Sequence, residues 1–168
     1  MKEDLVNHPK HYNSHPTGIE CIELAQHYGF SAGNVLKYIW RAGIKKELGK
    51  DDVVKEFEDI DKAIWYINHF IKELEAQDHV VFDKMHDDLF GEGGLIDARI
   101  HPFNADPDVV AKHYTESVAE AFRCMWWLGL TEFKYVLPYK VQIELANKAI
   151  LNLQHRKSEL KSLYKNGK

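Results

Sequence analysis

Asn34, Lys37, Tyr38 and Arg41 follow one another at steps of three, one and three residues. On a helix turning about 100° per residue they share a sector roughly 100° wide, and Val35, Leu36, Ile39 and Trp40 fill the rest. A lysine and an arginine on one rigid surface suit a phosphate chain, the guanidinium through paired hydrogen bonds and the ammonium as a point charge. Asn34 is placed to read a base or sugar. The other reading of the same spacing is a solvated helix face.

Glu20, Glu23 and His27 recur at three and four, which either gathers carboxylates around a hard cation such as Mg2+ or simply faces water. Glu56 falls inside the apolar stripe of a later helix and Asp59 at its edge. A buried carboxylate is costly alone, so these two either meet a base such as Lys37 or Arg41 or hold a metal. Further on, His113, Glu116, Glu120 and Arg123 form a polar site or a surface salt-bridge ladder. His8, His11 and His15 offer transition-metal donors or local turn hydrogen bonds.

The phosphate-loop signature is absent. Five residues separate Gly43 from Gly49, and Asp51 stands where a magnesium-binding hydroxyl belongs, so a helix stop and a turn account for both glycines. A G-x-S-x-G elbow, an H-E-x-x-H pair and a dinucleotide glycine set are also missing. Phosphate chemistry here must rest on helical side chains.

Helical periodicity supplies those helices. Ile19 to Tyr28 reads as a short first helix, and a second runs from Ser31 as N-cap to Ala42 with Gly43 as its stop. Asp51 or Asp52 opens a third, whose Val53, Phe57, Ile60, Ile64, Ile67, Ile71 and Leu74 form one stripe. Two more are expected over Asp108–Leu128 and Tyr139–Lys165. The fold class is therefore all-α, a bundle of about five helices with a long irregular acidic insertion. Residues 1–76 form a helical domain, 77–106 a loop or lid, and 107–168 a helical hairpin packed on the first part. No internal repeat or low-complexity tract is expected.

At 168 residues with 45% hydrophobic content the chain can bury a core without disulfides or a structural metal, and Cys21 and Cys124 form no framework. The net charge of −4 argues against general nucleic-acid binding. Met1 to Pro16 is polar, unlike a signal peptide, and no apolar run is long enough to span a bilayer, so a cytoplasmic protein without membrane contact is expected. The stripe on the third helix and the Trp126–Trp127 pair lead us to expect a homo-oligomer.

The series HPKHY at 8–12, GIECIEL at 18–24, GNVLKYIWRAGIKKEL at 33–48 and DIDKAIWYI at 59–67 resembles a family of small phage proteins. That family includes the nucleotide kinase of T7-like phages, which has no phosphate loop. The likeness runs from about Val6 to Leu74. It implies phosphate transfer from a nucleoside triphosphate to deoxynucleoside monophosphates such as dTMP and dGMP, with Mg2+, in an infected bacterial host. The matching positions are His11, Tyr12, Glu20, Asn34, Lys37, Arg41, Lys45, Asp59 and Lys62. The chain lacks the cysteine-rich stretch that precedes these blocks in the T7-like protein, and continues for about ninety residues beyond them.

Residue chemistry and resemblance together give a working assignment. Lys37, Arg41 and Asp59 are the catalytic candidates. His11, Tyr12, Asn34, Lys37, Tyr38, Arg41, Lys45 and Lys62 are candidates for binding nucleotide, and Glu20, Glu56 and Asp59 for holding Mg2+. The rival readings are an all-α nucleotide pyrophosphohydrolase, built on Glu56 with Asp59 and Glu58 with Asp61, and a non-enzymatic sponge for a nucleotide signal that uses Tyr38, Trp40 or Trp65 for stacking.

Overall fold

The computed structural model describes residues 15–77, 84, 103, 106–130 and 137–166, and within them the protein is all-α. Helix α1 spans Cys21–Ala25, α2 Phe30–Arg41 and α3 Asp52–Glu75. Helices α4, α5 and α6 span Pro107–Ala111, Glu116–Met125 and Tyr139–Asn166. Local chemistry sets the ends. The Asp51 carboxylate accepts from the Val53 N–H at 2.8 Å and opens α3. Gly43, at φ +74, supplies the left-handed residue that stops α2. No helix among the described residues is long and apolar enough to cross a membrane.

Two boundaries differ from expectation. The single helix expected over Asp108–Leu128 is split into α4 and α5 by a turn whose last residue, Thr115, is the N-cap of α5, so six helices are described instead of five. The N-cap of α2 is Gly29, while the Ser31 hydroxyl contacts His69 Nδ1 at 3.1 Å. Most of the acidic insertion expected over 77–106 lies outside the described residues.

The larger correction is that the chain does contain a repeat. At a constant offset of 86, residues 15–76 meet 101–162 without a gap. His15-Pro16 matches His101-Pro102, His27-Tyr28 matches His113-Tyr114, and Lys62-Ala63-Ile64 matches Lys148-Ala149-Ile150. The structure follows the same register, since α1 and α4 are equivalent to the residue, and Gly43 and Gly129 share φ +74. Ser31 contacts His69 beside Glu73, and Ser117 contacts His155 beside Glu159, each pair 38 residues apart.

The two units face each other across an internal twofold. Helix α2 packs on α3 and α5 on α6 within units, and between units like meets like, α2 with α5 and α3 with α6. The Tyr28 hydroxyl donates to the Trp126 carbonyl at 2.6 Å, and the equivalent Tyr114 hydroxyl donates to the Trp40 carbonyl at 3.2 Å. Trp40 and Trp126 are both buried at this seam. Each large apolar side chain so buried contributes about 1.5–3 kcal/mol. Of the apolar surface from which a partner copy was expected, Ile60, Ile67 and Leu74 of the α3 stripe and Trp126 are buried within the chain, while Val53, Phe57, Ile64, Ile71 and Trp127 are half-buried.

Candidate functional site

The α2 face and the adjoining face of α3 meet around Tyr38. The Lys37 ammonium lies 4.7 Å from the Tyr38 ring centre, the Arg41 guanidinium 5.3 Å and the Lys62 ammonium 5.7 Å, so one aromatic ring carries three cations. Lys37 also donates to Asn34 Oδ1 at 2.5 Å. Burial pulls the Lys37 ammonium below its ordinary value, and the charges of Arg41 and Lys62 push the same way. Lys45 is likewise lowered, first by burial and then by Arg41 and Lys55. An ammonium depressed by neighbouring cations gains when an anion arrives beside it.

Beneath them lies a buried charge network. Asp59 is 1% exposed, and its Oδ1 accepts from Lys55 Nζ at 2.9 Å and Arg41 Nη2 at 3.1 Å. Its Oδ2 is buried with no hydrogen-bond partner among the described residues. Lys55 is as buried as Asp59. Tyr38 stacks on Tyr66 at 5.8 Å, Tyr66 meets Phe30 and Trp65 edge-on, and Phe30 and Trp65 are 74% and 59% exposed. Basic groups able to hold phosphate thus adjoin open aromatic faces able to stack a base.

The structure sorts the expected residues. It brings Asn34, Lys37, Tyr38, Arg41, Lys45, Asp59 and Lys62 into this neighbourhood. His11 and Tyr12 lie outside the described residues. Glu20, Glu56 and Asp59 are not gathered as metal ligands, and no trio of His, Cys, Asp or Glu among the described residues is grouped to hold a metal. Glu20 instead shares a capping box with Glu23 at the start of α1. Glu56 is held by both arms of the Arg156 guanidinium, Nε at 2.7 Å and Nη2 at 3.1 Å. Trp40 is 1% exposed and lies tilted against the His15 ring in the core, so it cannot meet a ligand.

Arg123 draws in Asp108, Glu116 and Glu120 as a ladder at the surface, while His113 lies in the turn before α5. Lys55 and Arg156 were missed in the sequence. The only signal for Lys55 was its position one helical turn before Asp59, and Arg156 carried none.

The profile of a family described as a protein of unknown function (DUF3310) matches residues 6–68. The match takes in α1, α2 and most of α3, and none of the second unit. No curated protein and no solved structure matches the chain.

The second unit shows what the same fold does without this chemistry. Opposite Tyr38, Arg41, Lys55 and Asp59 stand Cys124, Trp127, Val141 and Leu145. Opposite the aromatic Phe30, Trp65 and Tyr66 stand Glu116, Leu151 and Asn152. The two cations that persist, Arg123 and Lys148, both close on Glu120, at 2.7 and 3.3 Å, where the first unit has Asn34.

Proposed function

We propose that the first unit binds a nucleotide, its phosphates on Lys37, Arg41 and Lys62 with Lys45 alongside, and its base against Trp65, Tyr66 or Phe30. One observation carries the reading. The buried Arg41–Lys55–Asp59 network sits at positions where the second unit has no charge, only the half-buried Trp127 and Leu145 and the exposed Val141. A buried ion network is commonly no more stabilising than apolar residues of similar volume. The fold manages without it in the second unit, so its place in the first is explained by what it holds outward. Asp59 braces Arg41 and leaves the guanidinium against the Tyr38 ring, next to Lys37.

The resemblance of the four sequence blocks to the phage nucleotide-kinase family extends this to a reaction, transfer of the γ-phosphoryl group of a nucleoside triphosphate to a deoxynucleoside monophosphate. Such transfer asks mainly for positioning and charge neutralisation, which a cationic helix face supplies. The carboxylates do not fit a resident Mg2+: Glu56 is committed to Arg156, Glu20 to its helix cap, and Asp59 to two cations. Mg2+ therefore belongs to the substrate, carried on the triphosphate, as is usual for this ion.

The same commitments favour capture of a nucleotide without turnover as the second reading. The pyrophosphohydrolase reading is left with Glu56, Glu58, Asp59 and Asp61 each paired to a base, Asp61 to Lys157 and Glu58 to Lys50.

γ-Labelled ATP incubated with dTMP or dGMP, with and without Mg2+, separates these readings. Labelled deoxynucleoside diphosphate supports the kinase, while tight binding with no product leaves a capturing protein. Pyrophosphate release points to the hydrolase. Absence of binding to mono- and triphosphates by calorimetry overturns the site.

A further inference from the structure

The second unit has kept one set of features and lost another, and the division is not random. The reciprocal hydrogen bonds that join the units are retained in pairs, Tyr28 with Tyr114 and Trp40 with Trp126, as are the helix-stopping Gly43 and Gly129. Even the hollows along the seam correspond. A cavity of about 260 Å³ is lined by Gly43, Ile44, Glu56, Thr115, Val118 and Arg156. A second of about 300 Å³ is lined by their equivalents Gly129, Leu130, Gln142, Gly29, Ala32 and Phe70. Of the groups that build the cationic surface of the first unit, Lys37 and Lys62 keep basic counterparts in Arg123 and Lys148, while Asn34, Tyr38, Arg41, Lys55 and Asp59 are replaced by Glu120, Cys124, Trp127, Val141 and Leu145.

We infer that residues 101–162 are an internal partner with a silenced site: they cover the first unit as a second copy of it would, and bind no nucleotide themselves. Like-with-like packing of α2 on α5 and α3 on α6, with reciprocal hydrogen bonds, is the geometry of a twofold dimer. Here one chain supplies both halves, so pairing is intramolecular and favoured by effective concentration over pairing between chains. One contact also makes the halves unequal. Arg156 grips Glu56, whereas the equivalent positions, Phe70 and Gln142, have no charge to pair. A first unit facing another first unit would set Glu56 against Phe70 and lose this bond, so the second unit is the better partner.

Silencing follows from charge. With Glu120 in place of Asn34, the surviving Arg123 and Lys148 are neutralised from within. The nucleotide count rests on the function proposed above, and the pairing does not.

Native mass spectrometry and light scattering of the full chain, alone and with Mg2+-ATP, test both parts. One chain of 19.6 kDa carrying one nucleotide is expected. A stable two-chain species at micromolar concentration overturns the internal pairing, and two nucleotides per chain overturn the silencing. Lys62→Ala should weaken ATP binding by about tenfold or more, since a charge-assisted phosphate contact is lost, and Lys148→Ala should leave it unchanged. An equal loss in Lys148→Ala would also overturn the silencing. A single-chain mass with no nucleotide bound at millimolar ATP refutes the nucleotide reading and the silencing that rests on it, while supporting the internal partner.

Discussion

Replacing the buried network of the first unit by the residues of the second isolates what the network is for. Asp59→Leu alone strips the carboxylate from Lys55, which is 1% exposed, and from Arg41, which is 7% exposed. Removing one partner of a buried pair typically costs about 3–5 kcal/mol, because a charge is left without compensation. For a chain of this size each kcal/mol moves the midpoint by about 2–4 °C, so thermal unfolding should fall by roughly 6–20 °C. The triple variant Arg41→Trp, Lys55→Val and Asp59→Leu installs the residues that stand at the same positions in the second unit, where Trp127 and Leu145 are half-buried and Val141 is exposed. It should recover to within about 1 kcal/mol of the parent or exceed it, since apolar replacement of a buried ion network is often neutral or stabilising by about 1–4 kcal/mol. Urea and thermal unfolding of the parent and both variants measure this, with ATP titration of the triple variant beside them. Stability recovered and affinity lost is the expected pair. A triple variant as unstable as Asp59→Leu refutes the reasoning, because the network would then be required by the fold.

Trp65→Ala, at an exposed ring, should change stability by no more than about 0.5 kcal/mol yet lower ATP affinity by the equivalent of about 1–3 kcal/mol if the base stacks there, as paired melts and calorimetry would show. Glu56→Gln should destabilise by about 1.5–3 kcal/mol in urea unfolding, since it weakens the two charge-assisted bonds from Arg156. His15, buried against Trp40 with His113 close by, has its imidazole pushed down to about 4, first by burial and then by the His113 charge. Its folded value lies below the unfolded 6.5, so the unfolded chain takes up the proton first. Stability attributable to His15 is complete above about pH 6.5 and is lost as pH falls toward 4. Urea midpoints across this range should show that slope flattened in His15→Gln. An unchanged slope would remove His15 as its source.

Much of the secondary structure was legible locally. The stripe along α3, the Asp51 cap, the Gly43 stop and the shared face of Asn34, Lys37, Tyr38 and Arg41 depend on neighbours within one or two turns, and helical periodicity reports such neighbours directly. The sequence also determined that Glu56 and Asp59 needed compensation, because their places in an apolar stripe made burial foreseeable. Which base would answer was not determined. Asp59 took Arg41, as one expectation had it, together with Lys55, whereas Glu56 took Arg156 from 100 residues away. Long-range pairing is set by how helices pack, and no local pattern encodes it.

The repeat escaped the sequence for a related reason. A fold is preserved by keeping buried volume, the left-handed glycine and the seam contacts, while surface and site positions are free to change, so the shared residues are scattered in runs of no more than three. The reciprocal contacts of Tyr28 with Trp126 and Tyr114 with Trp40 mark the constant offset in three dimensions. Sequence determined the helices and the chemistry offered along one of them. Tertiary structure decided that a second copy of the same unit covers their apolar faces, since burial of those faces is satisfied by any surface of matching shape, and the chain carries that surface itself.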